Sequence, residues 1–393
     1  MLTAGVFLAV VATPRRVDRS GLVQCACMLQ RITGSLAYLR PRSLARTRKA
    51  VDDLVADTRE LRQAVRALRD QHSGNGHRES DALRAQLGAI HNDLTEIRAL
   101  LTTLTEQQSQ LRAIAEADAA LDPHQRHLPS ILNQEWIAAH LRTSIQAAEL
   151  RLDPFPHASV ENLFPEKFYD ALVRGIPPVE LFGGRVNKRQ VVVPFTMGPV
   201  YGRRVWRFMA RQVAEDIAEV VTAKFREPLA EWIAANWPEL AADPLGPPVN
   251  MHSSDGRIML RGRGYNIPPH RDPKWGFITC LIYLVRPGDL ETWGTALYRV
   301  DDDQEAVGGA PHWIKREQCH LVTEVPFRAN SALIFLNSTG AHGASIPEDA
   351  EPADLQRYAY QFRIGPNRPA IAALKALLPE ERQQAWAGKV TDY

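Results

Sequence analysis

Between Val51 and Leu111 apolar residues recur at alternating spacings of three and four. Val51, Leu54, Thr58, Leu61, Val65 and Leu68 form one run. Leu83, Leu87, Ile90, Leu94, Ile97, Leu101, Leu104, Gln108 and Leu111 form a second, after a break at Ser73-Gly74-Asn75-Gly76. A heptad seam of this kind predicts a coiled coil over 46–118. It can bury its seam by pairing between chains or by folding back at Gly74–Gly76 onto the rest of its own chain; a homo-oligomer, as a dimer, is the expectation.

Beyond Asp118 the pattern changes. Asp122-Pro123 marks a linker, and Gln134 to Leu150 reads as a helix. A second helix opens after Pro165. Val205, Phe208, Met209, Val213, Ile217, Val220 and Val221 form a helical stripe that Pro228 is expected to bend. Gln190 to Pro194 reads as a strand. From Arg257 onward the chain becomes short apolar strands separated by Gly, Pro and Asp, such as Phe277–Val285 and Ala332–Leu336. Helices followed by strands predict an α+β fold: a jelly-roll (double-stranded β-helix) core buttressed by helices. The expected organisation is a basic, poorly ordered segment 1–45, the coiled coil 46–118, a domain over 122–368 and a helical tail 369–393. Within the domain, 122–256 is the helical support and 257–366 the β-core.

Composition narrows this little. With 393 residues, 45% hydrophobic, 23% charged and a net charge of +2, the chain is an ordinary globular one. Nothing argues for a nucleic-acid surface. The apolar run Met1–Thr13 is too short to span a bilayer, and Arg15-Arg16 follow it instead of preceding it, so a signal segment is not the preferred reading. No membrane partner is expected. Cys25, Cys27, Cys280 and Cys319 lack zinc-site spacing and read as free thiols of a reducing, cytoplasmic setting.

Candidate chemistry sits in Pro269-His270-Arg271-Asp272, with His342 following in Gly340-Ala341-His342-Gly343. Two imidazoles and a carboxylate are the facial triad that holds non-haem Fe(II) with positions left open. His-x-Asp occurs about once by chance in a chain of this size, and His91-Asn92-Asp93 is such a copy. That copy lies in the heptad helix, where positions i and i+2 do not share a face. On a strand they do, and both His270-Arg271-Asp272 and His342 adjoin apolar strand candidates.

Further pieces follow in order: Thr279-Cys280-Leu281-Ile282-Tyr283-Leu284, Trp293-Gly294-Thr295-Ala296-Leu297-Tyr298, Asn330-Ser331-Ala332-Leu333-Ile334-Phe335, His342-Gly343 and Arg357-Tyr358. Together with Pro269–Asp272 they make 257–364 resemble the 2-oxoglutarate/Fe(II) dioxygenases, in their prolyl-4-hydroxylase-like branch. The resemblance implies a hydroxylase releasing succinate and CO2, with His270, Asp272 and His342 as metal ligands and ascorbate as an accessory reductant. It implies that Arg357 grips the distal carboxylate of 2-oxoglutarate, a task suited to a guanidinium fork. Arg357 lies fifteen positions after His342, longer than usual for the branch, and Glu348 to Asp354 reads as a surface insertion. Arg363 is the competitor, on the same face of one strand because the separation is even. Thr279 and Tyr283 share a face and are candidate cosubstrate contacts.

The pattern departs at Ile267, where the branch often has Tyr, with Tyr265 as a substitute. Asp272 is retained where related halogenases lack the carboxylate. Arg261, Arg263, Arg271 and Lys274 gather near the motif, either to attract an anionic substrate or as solvated charges. The substrate class is open: protein side chain, glycan or small molecule. A zinc hydrolase on the same three ligands and a non-catalytic coiled-coil assembly protein are the alternatives.

Overall fold

The computed structural model describes residues 77–247, 249–254, 256–272, 276–301, 312–380 and 383. The chain divides into two compact units, 1–97 and 98–393. Of the first, the described part is helical, the beginning of α1 (His77–Gln125). The segment 1–45, the heptad run Val51 to Leu68 and the Gly74–Gly76 turn lie outside the described residues. The second heptad run is helical, as its periodicity predicts. Leu94, Ile97 and Leu101 are half-buried, whereas Leu104 and Leu111 are exposed. The linker expected after Asp118 is absent: α1 continues to Gln125 with Pro123 in its last turn. Pro123 removes the N–H that would bond the Ala119 carbonyl, but Ala119 is exposed and that carbonyl is left to solvent.

In the second unit α2 (Leu128–Ile131), α3 (Gln134–Ala147), α4 (Glu166–Arg174), α5 (Val200–Phe208), α6 (Ala214–Lys224) and α7 (Arg226–Asn236) precede most of the strands, and α8 (Arg368–Ala376) follows them. Asn133 caps α3 by accepting from Trp136 N. The N-cap of α5 is Pro199, which has no side-chain acceptor; Asp118 Oδ1 of α1 takes the Val200 N–H instead, at 2.6 Å. The predicted stripe is real, and Val205, Met209, Val213, Ile217 and Val221 are all buried. Their strict spacing of four would drift about 40° per step in an α-helix. A π turn at Met209–Val213 takes up that drift and keeps the stripe on one face. Pro228 does not bend this helix. The chain restarts at Arg226, and Pro228 falls in the first turn of α7, where no helical N–H partner is lost.

The strands are β1 (His157–Val160), β2 (Gly183–Arg185), β3 (Lys188–Val193), β4 (Met251–Ser253), β5 (Gly256–Arg261), β6 (Asn266–Arg271), β7 (Ile278–Leu284), β8 (Thr295–Val300), β9 (His312–Trp313), β10 (Cys319–Val325), β11 (Ser331–Leu336), β12 (Ala341–Ser345) and β13 (Arg357–Pro366). The larger sheet runs β1-β11-β7-β13-β5-β3-β2, with β4 beside β13. The smaller runs β10-β8-β12-β6-β9. All described pairings are antiparallel. From β5 onward the chain crosses repeatedly between the sheets, with β8, β9 and β10 together in the smaller one, which is the jelly-roll pattern the strand-rich half predicts. The expected support region 122–256 is not wholly helical: β1 to β4 come from it and extend the larger sheet. These strands have three to six residues, too short to impose a period, so pairing with β5, β11 and β13 defines them.

The central strands β7, β11 and β13 of the larger sheet are buried on both faces, so they read as near-continuous apolar runs. Ile258, Leu260, Cys280, Ile282, Ile334, Tyr358 and Phe362 pack in the core with the helices. Met259, Leu281, Tyr283, Leu333, Phe335 and Ala359 turn inward and meet Leu297 of the smaller sheet. Among the described residues no helix is long and apolar enough to cross a membrane.

Candidate metal centre

β6 delivers the first two candidate ligands. His342 lies opposite His270 and Ala344 opposite Ile267, so β6 has one residue more than β12 over that interval and bulges at Pro268-Pro269. Neither proline has an N–H to lose from the ladder, so the bulge is cheap there. It brings the Pro268 carbonyl to 2.9 Å from His270 Nδ1. A carbonyl only accepts, so Nδ1 carries the proton and the Nε2 lone pair is left to bind a cation. Nε2 lies 3.9 Å from Asp272 Oδ1.

His342 enters from β12 after a turn at Gly340, whose φ of +66° favours glycine and where a Cβ would run into the Phe155 ring. Arg271 Nε donates to the Gly340 carbonyl at 2.7 Å and ties this turn to β6. The rings of His270 and His342 lie 4.2 Å apart, centroid to centroid. One ligand atom from each of His270, Asp272 and His342 lies within 4.8 Å of the other two, and all three residues are buried.

Asp272 is held from the larger sheet. Arg363 Nη2 of β13 lies 3.0 Å from Oδ1. Thr279 of β7 donates to Oδ2 at 2.7 Å, and Gln361 Nε2 lies 3.4 Å from the same oxygen. Asn337 donates in turn to Thr279 Oγ1 at 3.0 Å. Burial alone would raise the Asp272 pKa, but Arg363, His342 and His270 outweigh it and hold the carboxyl well below its ordinary value. Burial and the neighbouring His270 push His342 down to about 3, against the pull of Asp272. Burial lowers His270 as well. At neutral pH the cluster is therefore two neutral imidazoles and a carboxylate, the protonation states a divalent cation requires.

Arg357 stands on the same inner face, six residues before Arg363 on β13. It is buried, its guanidinium 4.7 Å from the Phe327 ring centroid and 5.6 Å from that of Tyr283. Nε has no partner, and no described carboxylate pairs with the side chain. Burial lowers its pKa, while Tyr283 opposes that fall. The Tyr283 hydroxyl donates to Thr295 Oγ1 at 2.8 Å.

The residues singled out from sequence thus separate. His270, Asp272 and His342 come together. Arg357 and Arg363 share a face as their even spacing predicts, but Arg363 is committed to Asp272. Thr279 gives its proton to Asp272 instead of facing a cosubstrate. Tyr265 packs with Ile346 and Ala350 beneath the Arg261 guanidinium and is not part of the cluster. The stretch Glu348 to Asp354 is turn and bend and not strand. The basic residues do not form one patch: Arg261 turns inward, Arg263 bonds the Glu348 carbonyl, Arg271 bonds that of Gly340, and Lys274 lies outside the described residues. Gln361 and Asn337 were not anticipated; Gln361 was findable as an inward neighbour two positions before Arg363. His91-Asn92-Asp93 lies on α1, as expected of the chance copy.

No family model matches the chain, and no curated protein matches it. Solved structures similar to it include a prolyl-4-hydroxylase from Pseudomonas putida, at 11% identity and a TM-score of 0.31, over 59% of this chain and 100% of that one. Another is a 2OG-Fe(II) oxygenase family oxidoreductase from Burkholderia pseudomallei, at 6% identity and a TM-score of 0.32, over 58% of this chain and 89% of that one. A third is the non-heme α-ketoglutarate-dependent epimerase SnoN from nogalamycin biosynthesis, at 15% identity and a TM-score of 0.34, over 61% and 88%. Likenesses at this level carry no functional inference for this chain.

Proposed function

We propose that the protein is an Fe(II)- and 2-oxoglutarate-dependent dioxygenase that hydroxylates its substrate. The observation that carries this reading is the buried convergence of two imidazoles and one carboxylate, His270, His342 and Asp272. That donor set fits non-haem Fe(II) and leaves part of an octahedral shell to other ligands. When bound, Fe(II) supplies the oxidative chemistry: 2-oxoglutarate and O2 become succinate and CO2, one oxygen atom entering succinate and the other converting a substrate C–H to C–OH.

The chain's own residues divide the remaining work. The Pro268 carbonyl fixes the His270 ring with Nε2 inward. Arg363, Thr279 and Gln361 orient Asp272 and keep it ionised. Arg357 is a buried cation with no carboxylate partner among the described residues, and such a group is costly unless a ligand supplies the anion. The distal carboxylate of 2-oxoglutarate meets that need, with Tyr283 and Thr295 as neighbouring hydroxyls. The buried Phe327 ring lies against the Arg357 guanidinium.

Iron-dependent conversion of 2-oxoglutarate to succinate by the full chain tests this. It should be abolished in His270→Ala, with circular dichroism confirming that the variant folds. Conversion that is absent, or that survives loss of His270, would sink the proposal; zinc-dependent hydrolysis in its place would select the hydrolase.

A further inference from the structure

Three cations stand side by side across the larger sheet. Lys188 of β3 lies directly opposite Arg261 of β5, and Arg261 directly opposite Arg357 of β13. Residues in register on adjacent strands share a face. Here it is the inner one, because their alternation partners Arg189, Leu260 and Tyr358 fall on the other face, where Leu260 and Tyr358 pack with the helices. Like charges placed opposite one another destabilise a sheet, and two of these three are buried.

No carboxylate among the described residues pairs with any of the three. The described hydrogen bonds of the Arg261 guanidinium run from Nη1 alone, to the Arg189 carbonyl at 2.7 Å and the Leu260 carbonyl at 3.2 Å. Its other contact is the Tyr265 ring, 4.9 Å away. Lys188 has no carboxylate partner among the described residues, and the partial burial of its exposed side chain, with Arg261 and Arg185, lowers its pKa. A carboxylate at Arg357 accounts for one of the three charges and leaves Lys188 and Arg261 uncompensated.

These two cations lie on the metal-centre side of the barrel. They share the inner face of the larger sheet with Arg357 and, six residues on along β13, with Arg363, the partner of Asp272. On the edge strand of the smaller sheet, Trp313 pairs in register with His270, its ring 5.2 Å from the imidazole. Trp313 is 53% exposed, unusual for a tryptophan beside a buried cluster. One edge of the mouth thus offers cations and the other an aromatic face.

We propose that the mouth of this barrel binds the primary substrate through an anionic group, a carboxylate or phosphate ester held by Lys188 and Arg261, with the adjoining planar or apolar part against Trp313. This rests on the oxygenase reading for which molecule is oxidised, but not for the anion site itself.

Calorimetric titration of the full chain loaded with Ni(II), which occupies the triad without turnover, tests it. The probes are benzoate and phenyl phosphate, set against benzamide and phenol, with and without saturating 2-oxoglutarate. An anion should bind about 10-fold or more tightly than its neutral counterpart, the equivalent of about 1.4 kcal/mol. The preference should persist with 2-oxoglutarate present. Lys188→Met should reduce it to about 3-fold or less, and Lys188→Arg should restore it; Lys188 is exposed, so neither change threatens the fold. Trp313→Ala should weaken charged and neutral probes alike. No binding, no preference for the anions, or an unchanged preference in Lys188→Met would overturn the proposal. Displacement of the probes by 2-oxoglutarate would also overturn it, assigning these cations to the cosubstrate. Failure of Ni(II) or 2-oxoglutarate to bind in the same titrations strikes the oxygenase reading instead and leaves the anion preference legible.

Discussion

Asp272 is engaged on both carboxylate oxygens before any ligand arrives, by Arg363 on one and by Thr279 and Gln361 on the other. Arg357, on the same strand, has no such engagement, so the two arginines should fail differently. Arg357→Ala should raise the Kd for 2-oxoglutarate by about 30-fold or more, the effect of losing one partner of a buried charge pair at about 2 kcal/mol, with metal affinity unchanged. Arg363→Met should weaken metal binding by about 10- to 100-fold, the usual effect of removing a group that orients a ligand. Calorimetry with each ligand reads both, and the reverse pattern would move the cosubstrate to Arg363. A second residue-scale effect lies away from the centre. His157 is buried on β1, 2.8 Å from the Phe155 carbonyl, and burial lowers its pKa from the ordinary 6.5. Below about that pH the unfolded chain takes up a proton that the folded one refuses, so stability falls as pH falls. Above it this contribution is fully present. In His157→Gln the decline of Tm between pH 7 and pH 5 should be shallower than in the parent; an equal slope would assign the acid sensitivity to other groups.

At the scale of elements, short-range rules worked where one residue type controls one backbone need. Pro165 starts α4, Asn133 caps α3, and the prolines of β6 make its bulge affordable. They failed where a partner from elsewhere decides. Asp118 reads as the end of a helix but is the cap of α5, so α1 continues past it. α1 also leaves Leu104 and Leu111 exposed, at 39% and 62%. Both belong to the heptad seam, which is the physical motive for self-association. In light scattering the full chain should be a dimer, and Leu104→Glu with Leu111→Glu should convert it to a monomer without loss of helix signal by circular dichroism. A monomeric parent chain would refute dimerisation through this seam.

For the whole molecule, the triad joins two sheets that also meet through apolar contacts and the Tyr283–Thr295 hydrogen bond. His270 and His342 belong to the smaller sheet, and the groups that orient Asp272 to the larger. A metal that binds only the folded state at a hundredfold excess over its Kd adds about 2.7 kcal/mol, or roughly 5–10 °C in Tm for a domain of this size. Ni(II) should produce that rise in the parent chain and none in His270→Ala. What the sequence determined by itself was local or periodic. Strand context separated His270-Arg271-Asp272 from the copy at His91, and even spacing put Arg357 and Arg363 on one face. Alternation and continuous apolar runs marked the strands of a jelly roll. Tertiary structure decided the rest: which arginine meets Asp272, where the Thr279 proton goes, and that Lys188 and Arg261, 73 positions apart, stand in register beside Arg357. The reason is physical. Alternation states which face a side chain takes, but pairing register between distant strands sets its neighbours, and charges act on neighbours.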